Sequence, residues 1–179
     1  MLSKKEIRNN ILLKRKELTQ NDVDNKSLII QKMVLDSKEY KDSKIIFLYS
    51  SANNEVKTDL IFNQAIADNK IVAFPKVQGK DMEFIKVQSL SDLKPGYFSI
   101  LEPVSGEVIN NPDLIITPGV AFDLKKNRVG YGKGFYDTYF SNHKSFYMGI
   151  AFDMQIVDNI PADAFDKPLN MIITDKRII

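Results

Sequence analysis

The chain predicts an α/β fold: a single domain of three layers, with an open, mostly parallel sheet and helices on both of its faces. Three observations lead there. Five short runs, KIIFLYS (44–50), KIVAFPK (70–76), DLIITPG (113–119), SFYMGIAF (145–152) and MIIT (171–174), are apolar on successive residues and rich in β-branched or aromatic side chains. That is how strands buried on both faces read. Between the first two lies TDLIFNQAIADN (58–69), so strand, helix and strand follow in the order of a βαβ unit. Finally, 179 residues suffice for one well-formed core and are few for two.

The elements follow in order. Ser3 with Glu6 forms a capping-box pattern, and Leu2 with Ile7 has the spacing of a hydrophobic staple, so a helix starts at Lys4 and runs to about Glu17. Ile7, Ile11 and Leu18 share its inner face. Thr19 with Asp22 opens a second helix through Val23, Leu28, Ile29, Met33 and Val34, which ends before a loop near Asp42. After the first strand, Thr58 is placed to cap a helix carrying Leu60, Ile61 and Ile66. MEFIKV (82–87) and the turn LKPGY (93–97) read as a small excursion beside the main sheet. Ligands of open α/β sheets bind beyond the carboxyl ends of the strands. That selects the loop 51–57, the region around Pro75, and the chain from Pro118 onward.

Composition narrows the chemistry. Twenty-five Lys and Arg against 23 Asp and Glu leave a net charge of +2, which argues against a dedicated nucleic-acid binder unless the basic residues cluster on one face. No cysteine is present, which removes disulfides, thiol nucleophiles and cysteine metal sites and fits a reducing, cytoplasmic setting. The one histidine, His143, rules out a histidine-rich zinc site and reads as a surface position near a helix end. The charged start MLSKKEIRNN lacks a secretory core, and no apolar run reaches membrane-spanning length.

The most informative stretch is RVGYGKGFYD (128–137). Gly130, Gly132 and Gly134 let main-chain amides approach a ligand, Lys133 adds a mobile charge, and a helix from Phe135 would turn its positive end to the loop. Together these point to phosphate. Lys133 is followed by Gly134 where a Walker loop needs Ser or Thr, and the third glycine is too early for the dinucleotide fingerprint, for which only Asp153 hints at a ribose acid. A turn that merely caps a helix is the plain alternative, although such a turn needs no cation.

Other residues carry two readings each. Lys4, Arg8 and Arg15 lie along one stripe of the first helix beside its apolar face, able to reach one anion or to form a solvated basic face. Lys4 and Lys5 sit where the helix dipole disfavours cations by up to ~1 kcal/mol, a cost that a bound phosphate would offset. Glu55 is either a hydrogen-bond acceptor for an NH-rich heterocycle or an exposed loop acid. Asp137 suits the helix dipole and also Mg²⁺, which takes one or two carboxylates and completes its shell with phosphate oxygens and water. Tyr131, Phe135 and Tyr136 are core residues or stack on a flat ligand.

The run PGVAFDLKKNRVGYGKGFYD (118–137) resembles the signature of the 5-formyltetrahydrofolate cyclo-ligase family, also called 5,10-methenyltetrahydrofolate synthetases. KKEIR (4–8) is similar to the family's basic amino-terminal motif, NEVKT (54–58) to its folate-side loop, and IPADAFDKPLNMIIT (160–174) to its closing segment. The resemblance implies an ATP- and Mg²⁺-dependent ligase whose partners are small molecules, 5-formyltetrahydrofolate with or without a polyglutamate tail, and ATP. Nucleic acid and membrane are not expected among them, and a monomer is. It assigns Lys4 and Arg8 to ATP, Glu55 to the folate, and Asp137 to Mg²⁺. The loop from Arg128 to Tyr136 would serve ATP, its residues from Tyr131 to Phe135 would also touch the folate, and Lys133 and Arg128 would be catalytic. Asn170 stands where many members have a second acidic metal contact, which implies either weaker metal binding or a contact that runs through water. Rival classes are another nucleotide or sugar-phosphate enzyme on a similar sheet, and a nucleic-acid module using Lys4, Lys5, Arg8, Lys14, Arg15 and Lys16.

Overall fold

Two capping boxes open the chain. The computed structural model describes residues 2–79, 81–161, 163–164 and 166–179. Ser3 caps α1 (Lys4–Lys16) and Thr19 caps α2 (Gln20–Asp36), each closing reciprocally with the acid three residues on. Leu2 stays 51% exposed, so the box and not a staple sets the start of α1. The expected loop before Asp42 is instead a short helix, α3 (Lys38–Asp42), capped by Ser37. The strands and helices that follow are β1 (Ile45–Phe47), α4 (Asp59–Ala67), β2 (Ile71–Gln78), β3 (Asp81–Lys86), β4 (Leu93–Pro95), β5 (Leu101–Pro103), β6 (Leu114–Thr117), β7 (Ala121–Asp123), β8 (Arg128–Val129), α5 (Phe135–Asn142), β9 (Phe146–Ala151), β10 (Ile156–Val157) and β11 (Met171–Thr174).

The main sheet runs β11-β9-β6-β1-β2-β3, and every pair is parallel except β2 with β3. Its strands alternate between two cores. Ile46, Leu48, Val72, Phe74, Leu114 and Ile116 face α2 and α4, while Phe47, Ala73 and Ile115 face Phe84, Tyr139 and Phe140 on the α5 side. Period-two alternation with both faces buried is why these runs are apolar throughout. The fold is thus α/β with helices on both sheet faces, as the strand and helix patterns predict.

Two helix faces differ from expectation. The buried stripe of α2 is Val23, Ser27, Ile30, Gln31 and Val34, and Leu28 and Ile29 are 43% and 48% exposed. At 100° per residue, positions 28 and 29 fall off the stripe that 23, 27, 30 and 34 define. Thr58 precedes α4 without capping it, because its hydroxyl donates to the Tyr49 carbonyl. Gln31 of α2 takes that role, its Oε1 accepting from the Leu60 and Ile61 amides at 2.9 and 3.3 Å.

The excursion is an antiparallel extension: β3 pairs with β2, and β4 with β5. Pro75 lies inside β2, not after it. A second, small sheet of β10-β7-β8 packs under α1 through Ile7, Ile11, Val120, Ala121, Val129 and Ile160. Its β7–β8 turn is organised by the fully buried Asp123, whose carboxylate accepts from the amides of Lys125, Asn127 and Ile160 and from the Asn127 side chain. From β1 the chain moves to β2 on one side and later returns to β6 on the other. The carboxyl ends of β1 and β6 therefore form a topological switch point, where a ligand crevice is expected.

Candidate active site

A cleft of about 680 Å³ opens at that switch point. Lys4 and Arg8 of α1, Glu55, and every residue from Arg128 through Asp137 line it, so the fold gathers the positions that the resemblance assigns to ATP, folate and Mg²⁺, apart from Asn170. The β7–β8 ribbon aims the glycine loop into it. Gly132 and Gly134 have φ of 93° and 73°, the left-handed region that favours glycine, whereas Gly130 does not need it. Gly134 stands at the N-cap of α5 and has no side chain to cap it, and the first turn of the helix lies on the cleft wall. Lys133 lies exposed on the loop between them.

Lys4, Arg8 and Arg15 do not converge on one point. Lys4 pairs with Asp163 at 2.6 Å and with Asp166. Arg8 donates through Nε to the Gly130 carbonyl at 2.7 Å and lies against Gly132, where an added Cβ would be 3.3 Å from its Nη2. Arg15 falls on the apolar face itself, following Ile7 and Ile11 at four-residue spacing, and is buried. Its Nε donates to the Asn53 carbonyl at 3.0 Å and its Nη2 to the Tyr131 hydroxyl at 2.5 Å.

Glu55 is buried, which sets aside the exposed loop acid. Its Oε2 accepts from the Ala52 amide at 2.9 Å and its Oε1 from the Tyr131 hydroxyl at 3.1 Å. Burial raises its pKa above the usual carboxylate value, and the Ala52 amide, Arg15 and Tyr131 oppose the rise. Arg128, 9% exposed, donates from Nη2 to Asp137 Oδ2 at 3.0 Å and lies 5.5 Å from the centre of the Tyr136 ring. Tyr136 is both wall and core, touching Phe84 and Phe140 edge-on. Phe135 meets Tyr97 edge-on at 6.1 Å, closing one side of the cleft with a residue of the excursion.

Asn170 is not part of this site. It precedes β11 at the amino end of the parallel strands, where its Oδ1 accepts from the Tyr147 amide at 2.8 Å and its own amide donates to the Tyr147 carbonyl. The closing-segment acid that lines the cleft is Asp166; Ala162 and Phe165 of that segment lie outside the described residues. Asp153 serves a structural network instead, accepting from Thr174 and Arg177. His143 ends α5, stacked 4.0 Å from the Tyr139 ring. Sequence reasoning placed Arg15 on the basic stripe and missed its burial against Tyr131, although its i+4 spacing from Ile7 and Ile11 signalled it. The apolar wall of Val77, Met82, Tyr97 and Ile100 carried no motif.

A sequence model of the 5-formyltetrahydrofolate cyclo-ligase family matches residues 1–175. The probable 5-formyltetrahydrofolate cyclo-ligase of Schizosaccharomyces pombe is 33% identical, over 91% of this chain and 90% of its own. The 5-formyltetrahydrofolate cyclo-ligase of Mycoplasma genitalium is 32% identical over 97% and 98%. The NMR structure of Aquifex aeolicus 5,10-methenyltetrahydrofolate synthetase superposes with a TM-score of 0.88 at 34% identity, covering 98% of this chain and 91% of that one. The match spans nearly the whole chain in sequence and in fold, and the chain belongs to the 5-formyltetrahydrofolate cyclo-ligase family of enzymes.

Proposed function

We propose that this protein uses ATP to close 5-formyltetrahydrofolate into 5,10-methenyltetrahydrofolate, releasing ADP and phosphate. The observation that carries the reading is that two unlike sets of residues line one cleft. One has glycine-loop amides, Lys133, Arg8 and the start of α5, suited to a nucleotide's phosphates. The other has the buried acid Glu55 beneath Tyr131, suited to a heterocycle's N–H edge.

The chemistry needs both sets in one place. A formamide oxygen leaves poorly. Transfer of the terminal phosphoryl group onto it, with the nitrogen lone pair moving into the C–N bond, gives an iminium phosphate. The neighbouring folate nitrogen then attacks that carbon, the C–O bond breaks, phosphate departs, and the attacking nitrogen loses its proton. Phosphoryl transfer asks for positioning and charge neutralisation, which Lys133, Arg128 and the loop amides supply, and it needs no covalent nucleophile. Lys4 would exchange its aspartates for phosphate as the nucleotide enters.

Magnesium fits this arrangement through few protein atoms. Among the described residues no group of three or more His, Asp or Glu side chains is built to hold a metal. Mg²⁺ bound with a nucleotide needs only one or two carboxylates. Asp137 would provide one through Oδ1, since Oδ2 is held by Arg128, and the ion would supply charge neutralisation at the phosphates.

The test is to combine protein, MgATP and 5-formyltetrahydrofolate and follow the near-ultraviolet band of the methenyl product. It should appear only when all three are present. ATP consumption that ignores the folate would transfer the chain to another phosphoryl-transfer chemistry.

A further inference from the structure

Arg15 is a buried cation that does not itself line the cleft but holds two residues that do, Asn53 and Tyr131. It is 1% exposed, and among the described residues it enters no salt bridge. Its Nη1 is buried and finds no hydrogen-bond partner among the described residues. A charge so placed costs stability, and an apolar side chain of similar volume often serves a core better. What Arg15 does hold is informative.

Its Nη2 donates to the Tyr131 hydroxyl, which donates onward to Glu55 Oε1. A hydroxyl that accepts from one neighbour and donates to another has its rotor fixed. Arg15 Nε binds the carbonyl of Asn53, and Asn54, two residues on the strained left-handed side of the loop (φ 50° and 56°), returns its side-chain amide to the carbonyls of Arg15 and Leu18. One residue of α1 therefore ties the loop carrying Glu55 to the loop carrying the glycines.

We infer that Arg15 is a positioning residue, which orients the Tyr131 hydroxyl towards Glu55 and so keeps the heterocycle-binding residues of the cleft in register with its phosphate-binding ones. This rests on the proposed function for what fills the cleft, though not for the geometry. The charged and titratable groups interacting with Glu55 are Arg15, Tyr131, Tyr49 and Tyr136, of which Arg15 is the cation. Its loss would leave the Glu55 carboxylate with less support as well as less order.

The experiment compares Arg15→Met, Arg15→Lys, Tyr131→Phe and the Arg15→Met/Tyr131→Phe double variant. For both Arg15→Met and Tyr131→Phe the folate KM should rise about tenfold or more, the loss of a hydrogen bond to a charged group, while the ATP KM moves far less. The double variant should be no worse than the worse single, because both act through one hydroxyl. Arg15→Met should melt no lower than wild type, which a merely structural arginine would not allow, and Arg15→Lys should recover part of the folate affinity. Multiplicative losses in the double variant, or a folate KM within about twofold of wild type in a folded Arg15→Met protein, would overturn the inference. Carboxyl NMR of Glu55 reads the same coupling without turnover. Its titration should move upward in both Arg15→Met and Tyr131→Phe, and superimposable curves would refute the coupling even if wild type proved to have no cyclo-ligase activity.

Discussion

A carboxylate as buried as Glu55 ionises against the loss of solvent, and its two fixed hydrogen bonds only partly restore what burial removes. Its folded pKa stands above the ordinary 4.5. The stability this group contributes is thus complete below that value and is lost as pH climbs through the raised one. Glu55→Gln should melt at or above the wild-type temperature at pH 7, yet raise the folate KM by about tenfold or more. In the wild type the folate KM should worsen as pH falls through the raised pKa and Glu55 protonates. A Glu55→Gln profile with the same acid limb would show that another group titrates. At the glycine loop, Lys133→Ala should lower kcat on the order of a hundredfold, more than it weakens folate binding, because in the proposed reaction its charge acts on the transferring phosphate. Unchanged kcat at saturating ATP would remove Lys133 from the mechanism.

Elements show where sequence patterns speak and where they fall silent. The five central strands were legible because burial on both faces forces continuous apolar runs, and α1 and α2 because capping boxes are local. The inner face of α2 was not, since Leu28 and Ile29 are apolar neighbours of a stripe they do not join. Nor was the cap of α4, which comes from Gln31 on another helix and leaves Thr58 to the Tyr49 carbonyl. Gln31→Leu would strand the Leu60 and Ile61 amides, and should cost about 1–3 kcal/mol in chemical denaturation without altering KM for either substrate. A loss below the error of the melt would mean that water replaces the cap. Gly149 of β9 is constrained by packing: an added Cβ would meet Leu169 Cδ1 at 2.6 Å and Phe122 Cε1 at 3.0 Å. Gly149→Ala should therefore destabilise by about 1–3 kcal/mol through overpacking, and an unchanged denaturation midpoint would contradict that crowding.

At the scale of the molecule, function depends on which sheet end a residue reaches, and sequence spacing says little about that. Asn170 looked like a metal neighbour by its place in the closing segment, but it lies at the amino end of the strands and binds Tyr147. Asp166, a few residues earlier, reaches the cleft. Tyr97 and Ile100 lie some thirty residues before the glycine loop and still wall the same space, because β3 to β5 fold back along β2. The glycine loop was legible since its glycines and Lys133 are neighbours in sequence, whereas the union of its Tyr131 with Glu55 is made by the switch point between β1 and β6. That union is what would bring a nucleotide's terminal phosphate to a folate's formyl group. Its most direct measurement uses 5-formyltetrahydrofolate carrying oxygen-18 in the formyl group, with the released phosphate analysed by mass spectrometry after turnover with MgATP. The account predicts one labelled oxygen in each phosphate formed, because the formyl oxygen leaves as a phosphate oxygen. Methenyl product accompanied by unlabelled phosphate would contradict it.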